Sequence, residues 1–297
     1  MKLLKRHILL LVFSMLIFHF LIAQPNLSIQ QKQAIAFMDS VGELNQSSHW
    51  PNVKPASYSK NLRRNITQPL FLYAGNNTNF CGFAAMSYSC IGNFPLRYAR
   101  FMVELYKKGE SNFRQEYFNP SAAVKKEAGL LKFKGELDIN MADQLWFLSL
   151  ADHFKGYINF FNPNFHNGSE DKLWAATNFA KFNRMLRIIG DYEVQAVGSD
   201  LMRPGIKDIP KFLSQKMLEN DQVFLYLNNT ILHRKDHNKI KKRIPTHYVV
   251  LQKISENNGM VSLTYWDYGF KTLQQLPIKV VKKILFGITW CKKKSTT

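Results

Sequence analysis

The chain has 297 residues, 46% of them hydrophobic and 21% charged, with a formal charge of +19. This composition excludes a disordered chain and supplies apolar material for one large domain or two small ones. Three cysteines are too few for a disulfide scaffold, and the excess of lysine and arginine favours an anionic partner.

Lys2, Lys5 and Arg6 precede an apolar run from Ile8 to Ile22, interrupted only by Ser14 and His19; Ala23 then precedes Gln24 and Pro25. Basic, apolar and small residues in that order predict a secretory signal peptide over 1–23. The run is about 15 residues against the roughly 20 that span a bilayer, so an uncleaved membrane anchor is the lesser alternative. The mature chain is expected to be secreted or periplasmic. There, anionic cell-surface polymers are better partners than nucleic acid, which an exported chain rarely meets. In an oxidising compartment an odd thiol raises the question of reactivity. A Cys90–Cys291 pair would leave Cys81 free; two buried thiols are the other arrangement.

Residues 24–60 read as an N-terminal extension and 61–297 as the main domain. Ser28 to Leu44 predicts an amphipathic helix with Ile29, Ala34, Phe37, Met38 and Val41 as its apolar set. Gln46 to Tyr58, rich in Ser, Asn and Pro, predicts a loop. Phe80 to Ile91 predicts a short helix of small residues, on which Cys90 points away from Cys81. Pro95 opens a second helix with Tyr98, Phe101, Met102, Leu105 and Tyr106 on one face and Gly109 as its stop. Further helical stretches follow at 120–128, 140–153, 173–189 and 208–219. After residue 220 the period becomes extended. Gln222–Leu227, Thr246–Ile254 and Met260–Trp266 predict strands, the last two joined as a hairpin through Glu256 to Gly259. A helix near 278–285 and a strand near 286–291 end the chain. Helices first and antiparallel strands later predict an α+β fold.

Three segments carry chemistry. In Asn76-Asn77-Thr78-Asn79-Phe80-Cys81-Gly82-Phe83-Ala84-Ala85, polar residues run up to a Cys that opens a helix. A helix N-terminus carries roughly half a positive charge, which favours the nucleophilic thiolate. Gly82 and the two alanines are expected to let this helix pack closely on a sheet. In Thr246-His247-Tyr248-Val249-Val250-Leu251, His247 opens an apolar strand, a rigid mount with an open edge for a general base. In Tyr265-Trp266-Asp267-Tyr268-Gly269, Asp267 closes the hairpin partner strand and comes to lie beside His247. The carboxylate is expected to accept the Nδ1 proton and leave Nε2 facing the sulfur. Cys, His and Asp in that order form one working site.

With these motifs the chain resembles the papain-like cysteine peptidase superfamily, in particular its C39-like and exported or effector bacterial branches. The matching segments are NFCGFAA around Cys81, FLYLNN ahead of the His strand, THYVVL around His247 and WDYG around Asp267, within roughly residues 61–291. The resemblance implies a papain-like fold, a helical half with the nucleophile packed on a C-terminal antiparallel sheet. It implies hydrolysis of an amide, peptide or related acyl bond through Cys81, His247 and Asp267, without cofactor or metal. The superfamily often takes an oxyanion donor from a Gln shortly before the Cys; none lies in 69–80, and Asn77 or Asn79 is the expected substitute. The expected substrate is a protein, a peptide, a cell-wall peptide crosslink or another acyl compound, and transfer to an amine in place of water stays open. A catalytically silent binding module, or a secreted antibacterial toxin on the same fold, fits the same motifs. His233 and His237 have zinc spacing, but six Lys and Arg in 233–243 argue for a basic loop on the rim of the site. The aromatic stretch 157–166 is expected as loop and core, with a groove wall as the alternative.

Overall fold

The computed structural model describes residues 27–155, 163–229 and 244–294. Residues 1–23, expected as a signal peptide, residues 233–243, expected as a basic loop, and most of the aromatic stretch lie outside these. No helix among the described residues is long and apolar enough to cross a membrane.

The protein is α+β: a block of helices, then a six-stranded antiparallel sheet. Helix α1 (Ile29–Val41) begins at a capping box, in which Ser28 and Gln31 satisfy each other's backbone N–H. Ala34 and Met38 are buried as expected, while Ile29 is 76% exposed because it stands at the first turn, beyond the contact with the body. Where a loop was expected, α2 (Pro55–Thr67) begins. Trp50, Val53 and Tyr58 lie in the same core as the rest of the helical block, so residues 27–60 are built into the body rather than appended to it.

Helices α3 (Cys81–Asn93) and α4 (Pro95–Lys108) follow the predicted pair, and Gly109 ends the second in the left-handed conformation. A small hairpin, β1 (Ser111–Phe113) and β2 (Glu116–Phe118), precedes α5 (Ala122–Glu127), α6 (Met141–His153) and α7 (Phe179–Ile188). The large sheet contains β3 (Tyr192–Gly198), β4 (Gln222–Leu227), β5 (His247–Asn257), β6 (Met260–Asp267), β7 (Phe270–Pro277) and β8 (Leu285–Lys293), in spatial order β3-β8-β4-β5-β6-β7. Helices α8 (Ile209–Glu219) and α9 (Ile278–Ile284) complete the chain.

Alternation along the strands separates two cores. Phe224, Tyr226, Tyr248, Val250 and Trp266 face the helical block. Val223, Leu225, Val249, Leu251 and Tyr265 face α8 and α9. All three cysteines are free thiols, Cys90 and Cys291 being buried in the first core.

One buried polar cluster ties the helices together. Asn61 on α2 accepts the N–H groups of Ala142 and Asp143 at 2.8 and 3.0 Å, capping α6 from another helix. Asp143 accepts from Asn65 Nδ2 at 2.6 Å. Burial outweighs these hydrogen bonds and raises the Asp143 carboxyl to about 6. Its folded pKa therefore exceeds the unfolded value of about 3.9, the folded state binds more protons between the two, and stability falls as pH rises through that window. Relative to Asp143→Asn, the wild type should gain up to about 3 kcal/mol between pH 7.5 and pH 4. Paired urea titrations at the two pH values measure this, and an unchanged gap would contradict it.

Candidate active site

The site forms where α3 begins and where β5, β6 and β7 meet at one end of the sheet. Each part of the loop ahead of Cys81 is fastened. Thr78 Oγ1 donates to the carbonyls of Ala74 and Gly75 at 2.9 and 2.8 Å. The N–H of Asn77 donates to Lys134 O and that of Asn79 to Glu170 O, both at 2.8 Å. Lys134 and Glu170 are themselves ion-paired at 2.6 Å, so both straps are locked to each other. Phe80 provides no side-chain cap, and Cys81 stands at the first position of a 13-residue helix. Its sulfur therefore lies beside unpaired amide dipoles. The helix packs on β5 as expected; at Gly82 a Cβ would come within 2.8 Å of Thr177 Cβ, so the glycine also admits the loop ahead of α7.

His247 is the first residue of β5 and Asp267 the last of β6, and both are almost fully buried, at 1% and 4% exposure. Their strands pair antiparallel through a hairpin turn at Asn258 and Gly259, with φ of 50° and 76°. Asn followed by Gly suits this two-residue turn because both central residues need positive φ. His247 Nε2 and Asp267 Oδ1 are 2.7 Å apart. Nδ1 of the ring is 3.2 Å from the Tyr268 hydroxyl.

This reverses the expected assignment of the two nitrogens. Asp267 belongs to the neighbouring strand, and the outer nitrogen, Nε2, is the one that reaches across to it. Nδ1, nearer its own backbone, is left on the side of the turn, where it meets the Tyr268 hydroxyl. Cys81 is within hydrogen-bonding reach of the ring, and Sγ also meets the Thr246 carbonyl at 3.8 Å. Burial opposes charge on His247, but Asp267, through its charge and hydrogen bond, and Cys81 outweigh it and raise the imidazole to about 10. Asp267 and Cys81 thus favour the charged form of the ring against the cost of burying it.

The two asparagines differ. Asn79 Nδ2 donates to Lys172 O at 2.9 Å, fastening the loop after the 170 strap. Asn77 is exposed, its backbone held by Lys134. Around the sulfur the structure adds aromatic residues to which sequence reasoning gave no role. Tyr226 and Tyr248 stack at 4.1 Å on adjacent strands, Phe182 stacks on Tyr248 at 4.2 Å, and the Tyr226 hydroxyl donates to Asp200 at 3.1 Å. Burial raises both phenols, as it does Tyr268, and the nearby Cys81 adds to the effect in all three. In the sequence these tyrosines are ordinary strand aromatics; only the register of β4 with β5 groups them.

Asp267→Asn should lower the reactivity of Cys81 about tenfold at pH 6, because the amide keeps the shape but not the charge that orients the ring. Rates of carbamidomethylation followed by mass spectrometry test this, and an unchanged rate would separate Asp267 from the pair. Comparison with family models and with curated proteins finds no match.

Proposed function

We propose that the protein is an exported papain-like thiol hydrolase in which Cys81 is the nucleophile, His247 the general base and acid, and Asp267 the group that orients the imidazole. The observation that carries this reading is the convergence of a thiol at a helix N-terminus, a buried imidazole and a buried carboxylate on one end of the sheet, from positions 81, 247 and 267. Buried ionisable groups are costly unless paired, and here the carboxylate occupies only one of the two ring nitrogens.

In the proposed reaction the Cys81 thiolate attacks the carbonyl carbon of an amide or related acyl bond. The C–S bond forms, the C–N bond breaks, and the leaving amine takes a proton from Nδ1. Water then attacks the thioester and gives one proton to His247, and the C–S bond breaks to release the acid and restore the thiolate. An amine in place of water would give transfer. The Cys81 backbone N–H is one oxyanion donor on this reading. The substrate is a protein, peptide or cell-wall peptide, with anionic ones favoured by the charge of +19. Export rests on the basic, apolar and small-residue order of residues 1–23.

A small activated ester tests the chemistry. The intact protein should gain the mass of one acyl group, removable by hydroxylamine, and Cys81→Ala should gain none. An unmodified wild type, or equal acylation of the variant, would sink the enzyme reading. A silent binding module is the second reading, favoured by the fastening of Asn79 to Lys172, which turns a candidate oxyanion amide to structural use.

A further inference from the structure

We infer that Tyr268 is a positioning residue that controls the Cys81–His247 pair by occupying Nδ1 of the imidazole, an inference that rests on the proposed thiol chemistry. Tyr268 and Gly269 are the two central residues of the turn between β6 and β7, closed by the Asp267–Phe270 pair. Their φ values are 45° and 85°. The turn between β5 and β6 has the same pattern and fills it with Asn258 and Gly259, the pairing such turns favour. A tyrosine at positive φ is strained, and such residues persist only where their surroundings over-determine them.

The surroundings are the imidazole itself. The Tyr268 ring lies 4.7 Å from the His247 ring at 32°, and its hydroxyl is 3.2 Å from Nδ1. Asp267 takes Nε2 at 2.7 Å, so a hydrogen bond from the ring to Cys81 is assigned to Nδ1 by elimination. In the neutral ring Nδ1 has one lone pair, to which the Tyr268 O–H donates; in the imidazolium it has one proton, which the Tyr268 oxygen accepts. In both states the phenol competes with Sγ, which also meets Thr246 O at 3.8 Å. Among the described residues, the titratable groups facing this contact are Cys81 on α3, Asp267 on β6, Tyr73 ahead of α3, and Tyr226 and Tyr248 on β4 and β5, with Asp200 behind Tyr226.

Tyr268→Phe keeps the ring and the turn and removes only the hydroxyl. The full chain is alkylated with iodoacetamide from pH 5 to 9 as wild type, Tyr268→Phe and His247→Ala, with occupancy of Cys81 read by mass spectrometry. Below pH 7 the Tyr268→Phe protein should react about 2- to 10-fold faster than wild type, the scale of one hydrogen bond, and the acid limb of its profile should move to lower pH. A merely structural role would slow the reaction or leave the profile in place. A Tyr268→Phe profile superimposed on wild type or below it, with His247→Ala altered, overturns this inference alone. An unaltered His247→Ala profile overturns the underlying chemistry as well.

Discussion

Replacing His247 with alanine is expected to lower the alkylation rate of Cys81 by about 10- to 100-fold at pH 6 and to leave a profile that climbs like that of an ordinary thiol, with a midpoint near 8.5. Two features of the site favour the thiolate. The first is the N-terminus of α3, worth about 0.3–1 kcal/mol to a charge at the first turn and at most about 2. The second is the imidazolium, which Asp267 and Cys81 hold against burial. Removing the imidazole leaves only the helix, so most of the acceleration at acid pH should go. In wild type the rate should be substantial below pH 7 and then level. Cys81→Ala should abolish labelling at this position outright, and Asp267→Asn should cost less than His247→Ala, because the carboxylate acts through the ring. The order of loss is therefore Cys81, His247, Asp267. A His247→Ala profile coincident with wild type would mean that the two residues are neighbours without being a pair.

Trp50→Ala is expected to cost about 3–5 kcal/mol of stability, although Trp50 lies in a segment whose sequence reads as an extension. The indole is fully buried, and its Nε1–H donates to the Leu105 carbonyl at 2.8 Å. Around it the same segment is stitched to α4. Ser47 Oγ donates to Tyr106 O at 2.6 Å, the Tyr106 hydroxyl to Val53 O at 3.0 Å and the Tyr58 hydroxyl to Met102 O at 2.7 Å. Leu105 O also accepts the N–H of Gly109, so the variant orphans no acceptor there. The loss is then a cavity plus one hydrogen bond. Ile29→Ala, in the same segment but exposed, should cost less than about 0.5 kcal/mol. Urea unfolding of the two variants measures the contrast; a loss below about 1 kcal/mol for Trp50→Ala would make 27–60 an appendage.

The strands that matter for the site were legible because they are buried on both faces or end in a diagnostic turn. Gln222–Leu227 is a continuous apolar run, and Asn258-Gly259 announces its hairpin. The edge strands β3 and β7 were not legible. Most of their side chains are exposed or half-buried, so they carry no apolar period. Helix α2 was hidden for a different reason: its buried positions include Asn61 and Asn65, polar residues that serve Asp143 and that a count of apolar positions passes over. At the site, Cys81, His247 and Asp267 could be picked out by residue type and by the hairpin that aligns the last two. Which nitrogen meets the carboxylate could not, since that depends on how the ring leaves its strand. Tyr268 was invisible as a participant, because its φ of 45° and its contact with His247 distinguish it from any aromatic before a glycine only in three dimensions.

Helix α3 has nine buried residues of its 13 and is bolted to α6 through the Trp146 indole, which donates to Ser87 Oγ at 2.7 Å. The thiol is therefore mounted on a well-packed element, whose central amides are expected among the most slowly exchanging of the molecule. The partners of the sulfur sit on strand ends and a two-residue turn, where fewer backbone hydrogen bonds oppose a local adjustment. Any modulation of reactivity must then enter from the imidazole side, with the cysteine as the fixed point of the site.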